Sequence, residues 1–355
     1  MNLFEQAEVI VPEGPHDIEE QREWGVIYGG HLRGTGGILD NSLHKPNKGS
    51  RWIHKFNKTL PTLLYQGFGG SVERMTFDGE GADCGILVDK ADSSGFGTGK
   101  LHLSDVAFVR YAKAIQLGDD PADANADQLT IGRIHTNGCG TLLRVEHEQG
   151  VDIRIYGVAR PYTTPLVFDM EGGGNLDVSV LYCMYGVKEI LKTGSRVGSN
   201  NAEYTFRKVV CDTNNDVPIF LRQGRRCAGM EVTFESVRIG NSAAWPTEPI
   251  FQLQGGSSLT LNRFKYLRPG HIKYTNSIVE KYKNHIHLLS VTTGVTNVLD
   301  LFHPDSKGEV FVTVGRAADG FGNTTLRPGL YHIKDGKLIE HPDLITDWVK
   351  RNPFA

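Results

Sequence analysis

Five charged side chains follow short apolar runs at equivalent positions along the chain, and their types suit chemistry on a polysaccharide. They are Asp89, Glu146, Asp169, Lys192 and Arg222. Two carboxylates about 5 Å apart repel each other, which raises one pKa and provides the acid and the base or nucleophile of glycosidic cleavage. Glu146 and Asp169 are therefore the candidate catalytic pair. Asp89, Lys192 and Arg222 are candidate substrate-binding residues, and the two cations suit an acidic sugar.

The same residues have a second interpretation, a solvent-exposed charge ladder whose acidic and basic ends partly neutralise each other. Three further carboxylates lie close enough in sequence to act as alternative acids: Glu148, Glu171 and Asp177. The sequence alone leaves both interpretations open.

Metal and cofactor chemistry receives less support. An acidic loop offers oxygen ligands for Ca²⁺, although a plain solvated loop explains the same residues, which are Asp119, Asp120, Asp123 and Asp127. The five cysteines contain no Cys-x-x-Cys pair, and the histidines have no spacing typical of a metal site. We therefore predict no metal and no cofactor.

A recurring apolar strand motif predicts how the charged residues are positioned. Runs such as Leu129-Thr130-Ile131 and Leu259-Thr260-Leu261 alternate apolar and polar side chains. The eight runs begin at residues 72, 103, 129, 151, 176, 204, 230 and 259, a mean spacing near 27. A period of this length is typical of a solenoid, in which each unit buries its apolar face against the next unit.

Each unit also carries a second apolar strand, and two strands per turn predict an all-β, right-handed parallel β-helix. We expect about eight rungs over residues 61–290, with each strand hydrogen-bonded to its counterpart about 4.8 Å away. Residues 1–60 are predicted to form an N-terminal arm or cap. Residues 291–355 are predicted to form a β-hairpin around Asp335-Gly336 and a short helix, as a cap or oligomerisation element.

The predicted register brings the candidate site together. Aligning the second strands by their last inward residue matches Val88, Leu117, Val145, Phe168, Leu191 and Leu221. The next residue of each strand then points outward, because side chains alternate along a strand. This alignment places Glu146 beside Asp169, with Lys192 and Arg222 following them.

Composition argues against several classes of protein. The net charge of −3 gives no indication of a nucleic-acid partner. No window approaches the ~18 continuous apolar residues of a membrane span, so none is predicted. The first residues lack a basic start followed by an apolar run, so we expect no signal peptide.

With its rungs laid out, the chain resembles the pectate-lyase-like β-helix superfamily, and phage tailspikes and related virion proteins in particular. The resemblance covers about residues 65–290, where Met75-Thr76-Phe77-Asp78-Gly79 is similar to the strand and Asp-Gly turn of early rungs. It implies a homotrimer, made in a host cytoplasm and mounted on a virion among other virion proteins, that binds a host surface polysaccharide. The alternatives are a polysaccharide depolymerase, either hydrolase or lyase, and a non-enzymatic capsid or baseplate component.

Overall fold

The computed structural model describes the protein as short β-strands joined by turns. The described residues are 8–24, 30–35, 49–67, 69–89, 99–119, 128–146, 152–194, 202–211, 217–224, 229–239, 248–254, 256–267, 272–274, 284–289, 291–293, 298–302, 309–314, 329–334 and 337–340. They belong to two compact units, Met1–Lys192 and Thr193–Ala355. Each unit is described by itself below.

The first unit is built from strands alone in its described part. In chain order these are β1 (Glu8–Val11), β2 (Gly14–Ile18), β3 (Arg22–Trp24), β4 (His31–Gly34), β5 (Ser50–His54), β6 (Leu63–Tyr65), β7 (Ser71–Glu73), β8 (Thr76–Val88), β9 (Leu101–Ser104), β10 (Val106–Leu117), β11 (Gln128–Asn137), β12 (Thr141–Val145), β13 (Asp152–Tyr162), β14 (Leu166–Met170), β15 (Leu176–Cys183) and β16 (Glu189–Thr193).

Parallel pairing stacks these strands into three faces. The first face is β1-β4-β7-β9-β11-β13-β15. The second face is β2-β5-β8-β10-β11-β13-β15, in which the longer strands bend and continue from one face to the next. The third face is β3-β6-β8-β10-β12-β14. This arrangement confirms the predicted all-β fold of stacked parallel strands.

The predicted rung starts agree with the first face. Residues 72, 103, 129 and 176 lie within β7, β9, β11 and β15, and residue 151 immediately precedes β13. Parallel pairing also includes β1 to β6, so the solenoid of the first unit begins ahead of residue 61.

Single residues with left-handed backbone turn the chain between faces. Arg74 and Asp105, with φ of 54° and 52°, separate the first face from the second on two successive rungs. Arg110 and Thr163, with φ of 58° and 46°, lie at the corner that leads to the third face. This conformation costs about 1–2 kcal/mol for a residue with a Cβ, and it is tolerated because the ladders on both sides fix the bend.

Apolar side chains stacked from rung to rung fill the interior of the first unit. Phe77 lies on Phe108, with ring centroids 5.2 Å apart and planes at 11°, and Phe77 and Trp52 form a T-shaped pair. Such aromatic pairs contribute about 0.5–1.5 kcal/mol beyond the area they bury. Among the described residues, Cys84, Cys139 and Cys183 of the first unit and Cys211 of the second unit are buried thiols that form no disulfide.

A buried carboxylate links three successive rungs of the first unit through hydrogen bonds. Asp78 is fully buried within β8, so its Asp-Gly pair is in a strand and the chain bends at the following Glu80 and Gly81. Arg110 donates to both Asp78 carboxylate oxygens at 2.7 Å, and Arg51 donates to Oδ2. Burial would raise the pKa of Asp78, but the hydrogen bonds from Arg110 and Arg51 outweigh burial, and the pKa is lowered.

The second unit repeats the pattern. Its strands are β17 (Glu203–Phe206), β18 (Val209–Cys211), β19 (Ile219–Arg222), β20 (Glu231–Phe234), β21 (Val237–Ile239), β22 (Phe251–Leu253), β23 (Ser258–Leu261), β24 (Phe264–Leu267), β25 (Ile272–Tyr274), β26 (Asn284–Leu288), β27 (Val291–Thr293), β28 (Glu309–Val314), β29 (Gly329–Lys334) and β30 (Lys337–Glu340), with a 3₁₀ helix at Val298–Leu301.

Three parallel stacks again form the faces, β17-β20-β23-β26-β28, β18-β21-β24-β27 and β19-β22-β25. β28, β29 and β30 then pair antiparallel, with Asp335-Gly336 between the last two strands. The core contains four phenylalanines in mutual contact: Phe220, Phe234, Phe251 and Phe264. The helix predicted at 342–351 lies outside the described residues.

Candidate functional site

The predicted register is correct at one rung of the third face and wrong by two residues at the next. Leu117 pairs with Val145 as predicted, but Val145 pairs with Met170, and Asp169 lies opposite Arg144. Met170 is fully buried and is the last inward residue of β14. The prediction ended the strand at Phe168, so it placed Asp169 beside Glu146 in error.

Arg144 nevertheless connects the two predicted carboxylates. Its Nε donates to Glu146 Oε1, and its Nη1 donates to Asp169 Oδ2 at 3.0 Å. On the other side, Lys192 Nζ lies 3.5 Å from Asp169 Oδ1 and 3.1 Å from Glu171 Oε1. These five residues form an alternating series of negative and positive charges that we call the Arg144 ladder.

Burial shapes the electrostatics of the Arg144 ladder. It raises the pKa of Asp169, whose side chain is only 3% exposed, although Lys192 and Arg144 act in the opposite direction. Burial lowers the pKa of Lys192, but Asp169 and Glu171 outweigh burial and the pKa is raised overall. A carboxylic acid with a raised pKa suits general acid catalysis, but both carboxylate oxygens of Asp169 already contact a cation, Arg144 on one side and Lys192 on the other. Arg144 and Lys192 would have to move before Asp169 could act on a substrate.

The remaining predicted residues lie outside this ladder. Asp89 follows β8, and its backbone N–H donates to the carbonyl oxygen of Tyr65 at 3.0 Å. Arg222 belongs to the second unit, where its Nη1 lies 3.3 Å from Glu248 Oε2 and 3.0 Å from Gln252 Oε1. The structure thus joins Glu146, Asp169 and Lys192 in one network and adds Arg144, which the sequence analysis did not select.

Of the acidic loop considered for Ca²⁺, only Asp119 falls among the described residues; Asp120, Asp123 and Asp127 lie outside them. Within the described ranges, no three His, Cys, Asp or Glu side chains are grouped so as to hold a metal ion.

None of the helices in the described part of the chain is long and apolar enough to traverse a bilayer.

A flat aromatic surface that the sequence analysis did not select lies on the first face of the first unit. Tyr156 lies on β13, close to the corner at which this strand leaves the first face, and it is 56% exposed. Gly132 lies on the neighbouring β11, and a Cβ there would come within 2.8 Å of Tyr156 Oη and 3.2 Å of its Cζ. The phenol therefore lies across Gly132, on the outside of the sheet.

Polar groups surround this ring. The His102 imidazole is nearly parallel to it, with centroids 5.9 Å apart and planes at 9°, and His102 Nε2 lies 3.4 Å from Tyr156 Oη. His102 Nδ1 lies 3.0 Å from Thr130 Oγ1, and Ser104 Oγ is 3.3 Å from the Cβ position of Gly132. We call Tyr156, His102, Gly132, Ser104 and Thr130 the Tyr156 platform.

The residue types of the Tyr156 platform lower the stability of the fold rather than raise it. Glycine inside a strand costs roughly 0.5–1 kcal/mol relative to alanine, and the exposed tyrosine leaves apolar ring surface in water. A residue type that weakens a strand while clearing space beneath an exposed ring indicates a surface used for contact. The signal in the sequence was Gly132 within the β-branched run of β11, but its alignment with Tyr156 depends on the register.

A comparison with models of known protein families gives no match, and a comparison with curated proteins gives none either. The structure itself establishes the parallel β-solenoid, whereas a pectate-lyase-like or tailspike identity stays a prediction from the resemblance.

Proposed function

We propose that this protein is a glycan-binding β-solenoid that holds sugar rings on the Tyr156 platform. As the tailspike resemblance implies, we further propose that it is part of a virion and engages a host surface polysaccharide. The observation that carries the binding proposal is the Tyr156 ring, more than half exposed and lying across Gly132.

The chemistry of the platform suits a sugar. A pyranose has one apolar face of C–H groups, which stacks on an aromatic ring, and an edge of hydroxyls that need hydrogen-bond partners. Tyr156 supplies the flat apolar surface, and its hydroxyl supplies a polar tip. His102, Ser104 and Thr130 supply donors and acceptors around the ring. Few polar groups around an apolar surface are typical of small-molecule sites.

Binding without cleavage is favoured by the charges of the Arg144 ladder. Glu146 and Asp169 share the Arg144 guanidinium, and Asp169 also lies beside Lys192. The second candidate function is a polysaccharide hydrolase or lyase acting through Glu146 and Asp169. The observation that favours it is the raised pKa of the buried Asp169, which suits a general acid.

The test uses purified capsular polysaccharides and lipopolysaccharide O-chains immobilised for interferometry. We expect at least one glycan to bind the wild-type protein, and Tyr156→Ala to weaken that binding about tenfold or more, because one aromatic stack is lost. Tyr185→Ala is the matched control, since Tyr185 is 54% exposed in the same unit and outside the platform. Equal binding by wild type and Tyr156→Ala would overturn the proposal.

The same glycans, incubated with the protein, separate binding from cleavage. We expect no new reducing ends and no ultraviolet-absorbing unsaturated product. New reducing ends that disappear in Glu146→Gln would establish the alternative enzyme.

The trimer is tested by light scattering in native buffer. We expect three times the chain mass of 39.2 kDa, and the mass of a single chain would contradict the trimer.

A further inference from the structure

A buried histidine lies next to the Tyr156 platform on the second face. His135 is on β11, where its neighbours Ile134 and Thr136 are fully buried and His135 is 6% exposed. Its partner in the ladder on the adjacent β13 is Arg160. Because side chains alternate along a strand, His135 and Arg160 lie on the same side of the sheet, opposite to Ile134.

The His135 imidazole has an unused hydrogen-bonding atom. Nδ1 is buried and has no hydrogen-bond partner in the described part of the chain. Buried polar atoms are normally satisfied, and leaving one unsatisfied is unfavourable. A ligand atom that hydrogen-bonds to Nδ1 would remove that unfavourable term, and because Nδ1 is buried, the side chains that cover it must shift to admit the ligand.

The charges around His135 favour an anion. Arg160 is exposed and makes no ion pair with any described residue. Arg133, two residues before His135, donates to Asp105 Oδ1, so Asp105 neutralises one of the two guanidinium groups and Arg160 keeps its full charge. The pKa of His135 is lowered to about 4, mainly by burial and further by the positive charges of Arg160 and Arg133. The imidazole is therefore neutral at pH 7.

We propose that His135 and Arg160 form a subsite for the carboxylate of an acidic sugar within a glycan, a neighbouring ring of which stacks on the Tyr156 platform. The planar Arg160 fork matches a carboxylate, and the Nδ1–H tautomer of His135 donates to the same group without uptake of a proton. The inference rests on the proposed glycan binding and deepens it by naming the class of glycan.

Continuity along two strands links the subsite to the platform. β13 carries Tyr156 and Arg160, and β11 carries Gly132 and His135. Each pair is separated by three or four residues, at most about 10–13 Å, because β11 and β13 bend at the corner between the first and second faces. One or two linked sugar rings span this distance, so a single acidic oligosaccharide reaches both the platform and the subsite.

The test follows histidine and tyrosine ring signals by NMR, in protein carrying isotope-labelled histidine and tyrosine. His135 and Tyr156 are assigned from the signals that disappear in His135→Gln and Tyr156→Phe. The probes are sodium D-glucuronate and D-glucose at pH 7, with sodium chloride added to equal ionic strength. We expect glucuronate to shift both signals and glucose to shift only Tyr156.

Variants locate the anion contact. Arg160→Gln should weaken the glucuronate response of His135 about tenfold or more, because it removes a charge-assisted hydrogen bond. Arg154→Gln is the matched control: Arg154 is exposed on the same strand, is paired with Asp152, and should leave the response unchanged.

The outcomes separate the two proposals. If both sugars shift Tyr156 and glucuronate leaves His135 unmoved, the carboxylate subsite is overturned and glycan binding stands. If glucuronate shifts His135 and neither sugar shifts Tyr156, the platform is overturned. If no signal moves with either sugar, both proposals are overturned.

Discussion

The buried imidazole of His135 makes the stability of the protein depend on pH by an amount that the structure allows us to calculate. Burial lowers its pKa, Arg160 and Arg133 lower it further, and Asp105 acts weakly in the opposite direction. The folded pKa is about 4, against 6.5 for a free histidine. These are the charged groups found to act on His135 from its own strand, from β13 and from the corner after β9.

The sign of the effect follows from proton binding. Below pH 6.5 the unfolded chain takes up a proton at His135, while the folded protein stays neutral there until about pH 4. The unfolded state therefore binds more protons in this window, and stability present above pH 6.5 is lost as the pH falls towards 4. The two pKa values correspond to a loss of about 3 kcal/mol in full, of which about 2 kcal/mol is lost by pH 5.

Urea unfolding at pH 7 and pH 5 measures this loss. We expect wild type to lose about 2 kcal/mol more than His135→Gln between the two pH values, because glutamine does not titrate. Arg160→Gln should lose less than wild type, since removing that charge raises the pKa of His135. Equal losses of stability by wild type and His135→Gln over this interval would contradict a lowered pKa of His135 in the folded protein.

Three further substitutions test other parts of the structure by the same unfolding measurement. Asp78→Asn should destabilise by about 1.5–3 kcal/mol, because the charge-assisted hydrogen bonds from Arg110 and Arg51 are lost, and an unchanged unfolding midpoint would contradict the ion network. Phe220→Ala should cost about 3–5 kcal/mol by emptying the aromatic core of the second unit, and a loss below about 1 kcal/mol would argue against that packing. Gly157→Ala should destabilise strongly, since its Cβ would overlap the carbonyl oxygen of Gly132; a wild-type midpoint would contradict this close approach.

The solenoid could be predicted because alternation and period are properties of the chain itself. A run such as Leu129-Thr130-Ile131 indicates a strand with one buried side, and its recurrence near every 27 residues indicates stacking. The earlier rungs were harder to detect, because their spacing differs: β4 begins at His31, and the next strand of that face begins at Ser71. Long insertions hide a repeat without preventing its strands from pairing.

Contacts between rungs could be predicted less well, because they depend on register. Arg144 interrupts an apolar run, and only the pairing of β12 with β14 places it opposite Asp169. Taking Phe168 as the last inward residue, where Met170 is the last, moved Asp169 by two positions and concealed this partner. The sequence thus identified the carboxylates but not the cation that connects them.

The Tyr156 platform was concealed for a related reason. Gly132 and Tyr156 are far apart in sequence, and both lie where the register of β11 and β13 shifts, between Ile131 and Arg133 on β11. An irregularity of this kind cannot be located from alternation alone. An exposed tyrosine on a strand is unremarkable until the residue beneath it is known to be a glycine.

Measuring how the glycan panel binds to Tyr156→Phe, alongside wild type and Tyr156→Ala, tests whether sugar rings stack on Tyr156. Phenylalanine keeps the flat ring over Gly132 and removes only the hydroxyl. We expect Tyr156→Phe to bind within about threefold of wild type and Tyr156→Ala to bind at least about tenfold more weakly. Unchanged binding in both variants would contradict the claim that sugar rings rest on this tyrosine.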